Sequence, residues 1–366
     1  MKVAVAASLL KAISSESTGG TEAFAHLLTE GLVSAGIDTT LFATSDSKTS
    51  AKLVSVCHSS QTTGVYEGNV EIRMPYQLLQ SAEILKREKE FDIIHNNYFG
   101  FFALTAFSSF SEVPIVTTMH NHFWHYPNLT KIVTETVRKG KDMVVFPSHT
   151  SATYNTGLFD SQVIHHGIDV TPFQFSKTSE DYLLFLSRLV PAKGIKDAID
   201  TATKSNFKLL VAGGQAVLPE DTDFIAKHVT PYFSNTIQHV GVPDDKKRLE
   251  LYQHAKALLF PTHLEEQFGL VSVEAMACGT PVIAYNHGAN AEVIADGVTG
   301  FIVDPDDNDR PGKGSWIIKK QGVEGLVEAV SRIGEIDRMA CRRRVEEKFT
   351  RERMISEYIA LYKRLI

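Results

Sequence analysis

The sequence predicts two consecutive α/β domains, each a parallel sheet covered by helices on both faces. Three observations lead there. The chain has 366 residues, about twice the usual 100–200 of a domain. Apolar runs of strand length alternate with amphipathic stretches of helix length from end to end, which is the rhythm of βαβ units. A composition of 43% apolar and 22% charged residues is that of a packed globular chain, which excludes a disordered, collagenous or disulfide-stapled one.

The elements follow in order. Val3–Ala6, after Lys2, reads as an opening strand rather than as the apolar centre of a leader, and no later run approaches the roughly 18 apolar residues of a membrane span. Further strands are expected at Thr39–Phe42, Asp92–Ile94, Ile115–Thr118, Met143–Phe146 and Gln162–Ile164. Helical periodicity marks Thr21–Ser34 and Met74–Arg87 between them. Turn residues without periodicity, Asp169–Asp181, mark a seam. Beyond it the expected strands are Tyr182–Leu186, Lys208–Ala212, Ile237–Val240, Ala257–Phe260, Pro281–Ala284 and Gly300–Val303, with helices at Ile195–Thr203, Asp245–Gln253 and Leu270–Ala277. A long charged helical stretch, Val323–Ile366, ends the chain. The domains are therefore expected at 1–170 and 171–345, with a terminal helix over 346–366. Its apolar stripe (Phe349, Met354, Ile355, Tyr358, Leu361, Tyr362) calls for a partner on the first domain.

Charge and cysteine content narrow the class. With 37 Lys+Arg against 43 Asp+Glu the formal charge is −6, so no bulk cationic field draws in nucleic acid. Cys57, Cys278 and Cys341 are too few and scattered for a disulfide framework or a four-thiolate zinc site, which leads to the expectation of a reducing cytoplasm. Two small basic clusters, Arg138/Lys139/Lys141 and Arg342–Arg344, leave peripheral contact with the inner face of a membrane open; a solvated helix face is the blander reading.

The most informative stretch is His263–Pro281. A strand leads into a polar turn holding Glu265 and Glu266, and Phe268–Gly269–Leu270 then opens a helix that is apolar on nearly every face. Such a helix is buried. Glu274 lies inside it, and a buried carboxylate is costly unless paired or hydrogen-bonded. Either it forms a structural ion pair, or it accepts ligand hydroxyls beside a helix N-terminus that favours an anion. A phosphate at Gly269–Leu270 with hydroxyls held by Glu266 and Glu274 describes a sugar nucleotide. Arg188 and Lys193, five residues apart across a strand-to-helix turn, suit charge developing on a leaving diphosphate.

Glu266 and Glu274, with seven residues between them and followed by AMACGTPV, resemble the donor-site signature of the retaining glycosyltransferase family 4, whose fold is GT-B. Gly19–Gly20–Thr21–Glu22 resembles that family's glycine loop beside the diphosphate. Ser187–Arg188–Leu189 and Lys193–Gly194 resemble its clamp on the pyrophosphate, and Val211–Gly214 and Val240–Gly241 the strand ends around the nucleoside. The resemblance implies two Rossmann-like domains, acceptor side first and donor side second, facing across a cleft that holds the active site, with the terminal helix crossing back. It implies transfer of a sugar from a UDP- or GDP-sugar to an acceptor hydroxyl with retention, the acceptor being a glycan, a small molecule or a lipid-linked group. It implies His120 and Glu266 as catalytic residues, with Gly19, Gly20, Arg188, Lys193, Phe268, Gly269, Leu270 and Glu274 binding the donor. No metal and no further cofactor is expected. The chain departs from the family at Gln267, at Ser187 and at His166-Gly167-Ile168-Asp169, which bears on sugar specificity more than on activity.

The same residues also fit other chemistries. The stretch Thr117–Tyr126 carries His120, His122 and His125 among Phe123, Trp124 and Tyr126, and His-x-His after a strand also occurs in metal-dependent hydrolases, with His95, His165 and His166 as supplements. No nearby carboxylate completes such a set. A glycoside phosphorylase or a sugar-phosphate synthase is the rival on the same fold. Asp221-Thr222-Asp223 and Asp304-Pro305-Asp306 match Asp-x-Asp metal motifs but lie in polar loop-like segments. The first strand exit lacks G-x-G-x-x-G, which disfavours a nicotinamide enzyme.

Overall fold

A computed structural model describes residues 1–17, 19–62, 70–97, 102–120, 131, 134–153, 157–214, 219–306 and 314–366, without side chains at 70–73, 102–103 and 219–220. The chain forms two compact units, Met1–Gly167 with Arg351–Ile366, and Ile168–Thr350. Residues 346–350 thus lie with the second unit.

The first unit carries a seven-stranded sheet: β1 (Lys2–Ala7), β2 (Asp38–Phe42), β3 (Lys52–Val54), β4 (Ile93–Asn97), β5 (Ile115–Thr118), β6 (Met143–Phe146) and β7 (Ser161–Val163), in the order β3-β2-β1-β4-β5-β6-β7. Every pairing is parallel. Val3 to Ala7 are wholly buried because helices cover both faces, so the central strand reads as a continuous apolar run. Among the described residues, the one strand that sequence patterning missed is β3. It is an edge of three residues with Lys52 and Leu53 exposed, so it has no apolar period to read.

The second unit carries six parallel strands: β8 (Tyr182–Leu186), β9 (Lys208–Ala212), β10 (Ile237–His239), β11 (Ala257–Phe260), β12 (Val282–Tyr285) and β13 (Gly300–Val303), ordered β10-β9-β8-β11-β12-β13. In both sheets the winding reverses once, between β1 and β4 and between β8 and β11. Such a reversal leaves a crevice outside the carboxyl ends of the two strands, where open parallel sheets take their ligands.

The last 45 residues form three α-helices, Gly322–Arg332, Arg338–Lys348 and Arg351–Leu365, with a 3-10 turn at Ile333–Glu335. Asp337 caps the second by accepting from the Met339 N–H. The terminal helix packs Met354, Ile355, Tyr358, Leu361 and Tyr362 onto Phe24, Ala25, Leu28 and Leu32 of the helix Gly20–Ser34. Phe349 does not share that stripe. It belongs to the core of the second unit, edge-on to Phe268 with ring centroids 5.5 Å apart, because the chain changes helix at Thr350.

Three histidines sit among these apolar groups. Burial lowers His95 and His120 to about 3 and pushes His166 well below its ordinary value.

Three outcomes follow for stability. Leu361→Ala removes a wholly buried side chain and should cost about 2–5 kcal/mol in urea unfolding, and deletion of 354–366 should leave no soluble folded protein. A truncated chain with an unchanged melting temperature contradicts the packing. The buried histidines are neutral when folded but protonate near pH 6.5 when unfolded, so the unfolded chain binds more protons below that pH. Stability should therefore fall from about pH 6.5 toward pH 3, by up to about 1.4 kcal/mol per pH unit for each histidine. A melting temperature that stays flat between about pH 7 and 5 speaks against it.

Candidate functional site

Most of the residues singled out in the sequence follow β8 or β11, the two strands that flank the winding reversal of the second sheet. From β8 the chain passes Ser187 and Arg188 into a single 3-10 turn, Pro191–Lys193, and then into the helix Ile195–Ser205. Gly194 joins them with φ +73, and a Cβ there would collide with the carbonyl oxygen of Pro261. That close approach lays the turn on the exit of β11: the His263 N–H donates to the Ala192 carbonyl at 2.9 Å, and the Thr262 hydroxyl donates to the same oxygen at 3.3 Å.

Lys193 is thereby held over the crevice. Its Nζ lies 2.8 Å from Glu266 Oε2 and 5.7 Å from the centre of the Phe260 ring, with the two charged side chains 15% and 20% exposed. The Glu266 backbone is fixed from the other side. Its carbonyl accepts from the Ala289 N–H at 2.8 Å, and Gly288 (φ +57) packs so closely on the 265–266 peptide that a side chain would strike it. Glu265 accepts from the Gly288 N–H at 2.7 Å and lies 3.5 Å from His287 Nδ1, which makes it a staple for the loop. Gly269 then begins the helix Leu270–Ala277 with no side chain capping its N-terminus. The Phe268 ring is buried in the core, so its side chain is not available to a ligand. Arg188 is exposed, with no carboxylate partner among the described residues.

Glu274 sits on the second turn of that helix, and its structural partners are present. The Tyr252 hydroxyl donates to Oε2 at 2.9 Å, and Oε1 is 3.7 Å from the Arg248 guanidinium. Burial raises its pKa, opposed by Arg248 and by the Tyr252 hydrogen bond, and burial holds the Tyr252 phenol well above its usual range.

In the first unit, Gly19 caps the helix Gly20–Ser34, but the space beside its Cα is taken by the buried carboxylate of Glu22. An anion next to Gly19 would meet that carboxylate, so only the side of Gly20, where a Cβ meets nothing, is open. His120 follows β5, edge-on to Phe24 at 4.8 Å, with Nε2 3.1 Å from Asn97 Oδ1. Both ring nitrogens of His95 are engaged by hydroxyls, Nε2 by Thr118 at 2.9 Å and Nδ1 by Tyr362, so neither nitrogen is free for a metal. His122, Phe123, Trp124, His125 and Tyr126 lie outside the described residues.

The basic clusters are partly structural. Arg138 is spent on Asp142 and on the Val113 and Ser111 carbonyls, Arg342 on the Phe173 and Ala277 carbonyls, and Arg344 on those of Glu292 and Val293. Asp223 lies on a helix, not in a loop, paired with Lys227 at 3.5 Å, and Asp304 accepts from Asn286 and Trp316. Among the described residues, no helix is long and apolar enough to cross a membrane.

Comparison with known proteins bears on the same regions. Residues 18–171 match the family model Glycosyltransferase Family 4, and residues 169–314 match Glycosyl transferases group 1. Glycogen synthase of Mycobacterium tuberculosis is 27% identical over 291 residues, covering 73% of this chain; the chain spans 65% of that relative's length. O-antigen chain mannosyltransferase C of Escherichia coli is 22% identical over 375 residues, 95% of each. Among solved structures, sucrose-phosphate synthase from Thermosynechococcus elongatus superposes with a TM-score of 0.80 at 19% identity, covering 100% of this chain and 98% of that one. Anabaena HepE in complex with UDP and glucose gives 0.74 at 16% identity, with 100% of both chains covered.

The turn at Gly194 yields a direct test. Gly194→Ala places a side chain in left-handed backbone against Pro261, and should cost about 1–3 kcal/mol while displacing Lys193. Thermal unfolding and nucleoside diphosphate titration should both change; wild-type values in both would show that the turn does not need glycine.

Proposed function

Because the chain belongs to the group 1 glycosyltransferases of family 4, with the GT-B fold, we propose that it moves a glycosyl group from a UDP- or GDP-sugar to an acceptor hydroxyl, with retention at the anomeric carbon. The observation that carries this is the Lys193–Glu266 ion pair at the winding reversal of the second sheet, beside an uncapped helix N-terminus. One crevice thus offers a cation and free N–H groups for a diphosphate, next to a carboxylate for sugar hydroxyls.

The incoming diphosphate takes Lys193 and the N–H groups of Gly269 and Leu270, with Arg188 at the rim. As Lys193 turns to the phosphate, Glu266 is released to accept from hydroxyls of the sugar. Glu274 meets the ribose, sharing its oxygens with Tyr252. His120, neutral through burial, is the first unit's candidate contact to a sugar. The bond from the anomeric carbon to the diphosphate oxygen breaks, and the acceptor oxygen bonds to the same face. Its proton passes to the departing phosphate, so no separate base is required. Lys193, Arg188 and the helix N-terminus stabilise the charge that develops on the leaving group, which makes a metal unnecessary. Three buried, unpaired cysteines suit a cytoplasmic protein.

Transfer from a panel of UDP-, GDP- and ADP-sugars, assayed after dialysis against EDTA, tests this. Transfer should persist without metal, and Glu266→Ala should lower it by about 100-fold or more if a transition-state contact is lost. Transfer restored only by Mn²⁺ or Mg²⁺, or an unimpaired Glu266→Ala enzyme, would overturn the assignment.

A further inference from the structure

The first sheet has its own winding reversal. Ala7 and Asn97 face one another in register there, at the carboxyl ends of β1 and β4. Asn97 is wholly buried, yet its amide is only half used: Oδ1 lies 3.1 Å from His120 Nε2, and among the described residues Nδ2 has no hydrogen-bond partner. Three neighbouring side chains do use their polar groups. Asn96 Nδ2 donates to the Thr117 hydroxyl at 3.3 Å, the Thr118 hydroxyl bonds both His95 and Tyr358, and His95 spends its second nitrogen on Tyr362. A buried amide N–H without an acceptor is costly, and its persistence at a strand end where ligands bind calls for an acceptor that arrives from outside.

We propose that Asn97 is a substrate-contacting residue whose Nδ2 donates a hydrogen bond to a hydroxyl oxygen of a sugar or polyol bound by the first unit. Its Oδ1 accepts from His120 Nε2, which fixes the imidazole tautomer and leaves the lone pair on Nδ1. Asn97 therefore supplies a donor and His120 an acceptor, the complement of a hydroxyl, which both accepts and donates. This rests on the glycosyltransferase reading and names a residue that meets a hydroxyl of the substrate.

Asn97→Asp isolates the effect, because it keeps an oxygen for His120 Nε2 and removes the amide donor; Asn97→Ser is the second variant should the first fold poorly. Binding of methyl glucoside, methyl mannoside and methyl galactoside to the full chain is read by saturation-transfer NMR, and binding of UDP and GDP by calorimetry. The wild type should bind at least one of the glycosides. Either variant, with an unchanged melting temperature, should bind it about tenfold more weakly, as loss of one hydrogen bond predicts, and UDP or GDP affinity should stay unchanged. Glycoside binding absent in the wild type, or equal in the variants, overturns the proposal. Glycoside binding that depends on Asn97, in a chain that binds neither UDP nor GDP, would keep this site and remove the nucleotide-sugar reading instead.

Discussion

The contact on which the candidate site depends is the ion pair between Lys193 and Glu266, 2.8 Å apart at the winding reversal of the second sheet. Neither residue could be placed by its own helix or strand. Lys193 stands on a turn that presses against the Pro261 carbonyl, and Glu266 on a loop that presses against Gly288; glycine alone permits both approaches. Glu265 and the 287–289 segment complete the clamp. A half-buried pair of this kind is costly to break by removing one partner, which leaves the other charge poorly solvated. A ligand that supplies a new anion for Lys193 and new donors for Glu266 exchanges the pair without stranding either charge.

The first unit solves a different problem, that of keeping histidines neutral next to polar chemistry. Phe24 and the terminal helix supply the apolar surroundings, while Tyr358 and Tyr362 bring hydroxyls to Thr118 and His95. The last helix thus contributes both core and polar partners to the ends of β4 and β5. Burial removes the positive charge from His95, His120 and His166, so these rings act there as hydrogen-bonding groups and not as cations.

The succession of strands and helices along the chain was largely legible in the sequence, because apolar runs such as Tyr182–Leu186 and Ala257–Phe260 and the helix Leu270–Ala277 have unambiguous periods. What patterning could not reach were pairings between residues far apart in the chain. That Lys193 meets Glu266 across 73 positions depends on two backbone approaches with no local signature. Glu274 looked like a ligand group or an ion-pair member, and only the fold reveals Tyr252 and Arg248 beside it. Glu22 looked like part of a phosphate loop, yet its side chain folds back over Gly19. Phe349 continues the apolar stripe on paper but lies before a change of helix. Asn97 carried a signal that was overlooked, a polar pair at the exit of an apolar strand.

If Lys193 is shared between the carboxylate and the phosphate, removing the negative charge of Glu266 while keeping its shape should free the ammonium for the nucleotide. Calorimetric titration of the preferred nucleoside diphosphate against wild type and Glu266→Gln measures this directly. The account predicts several-fold tighter binding of the nucleotide to the variant, since repulsion between carboxylate and phosphate is gone. Weaker binding, in a variant with the wild-type melting temperature, would contradict it and show that Glu266 positions Lys193 without competing for it.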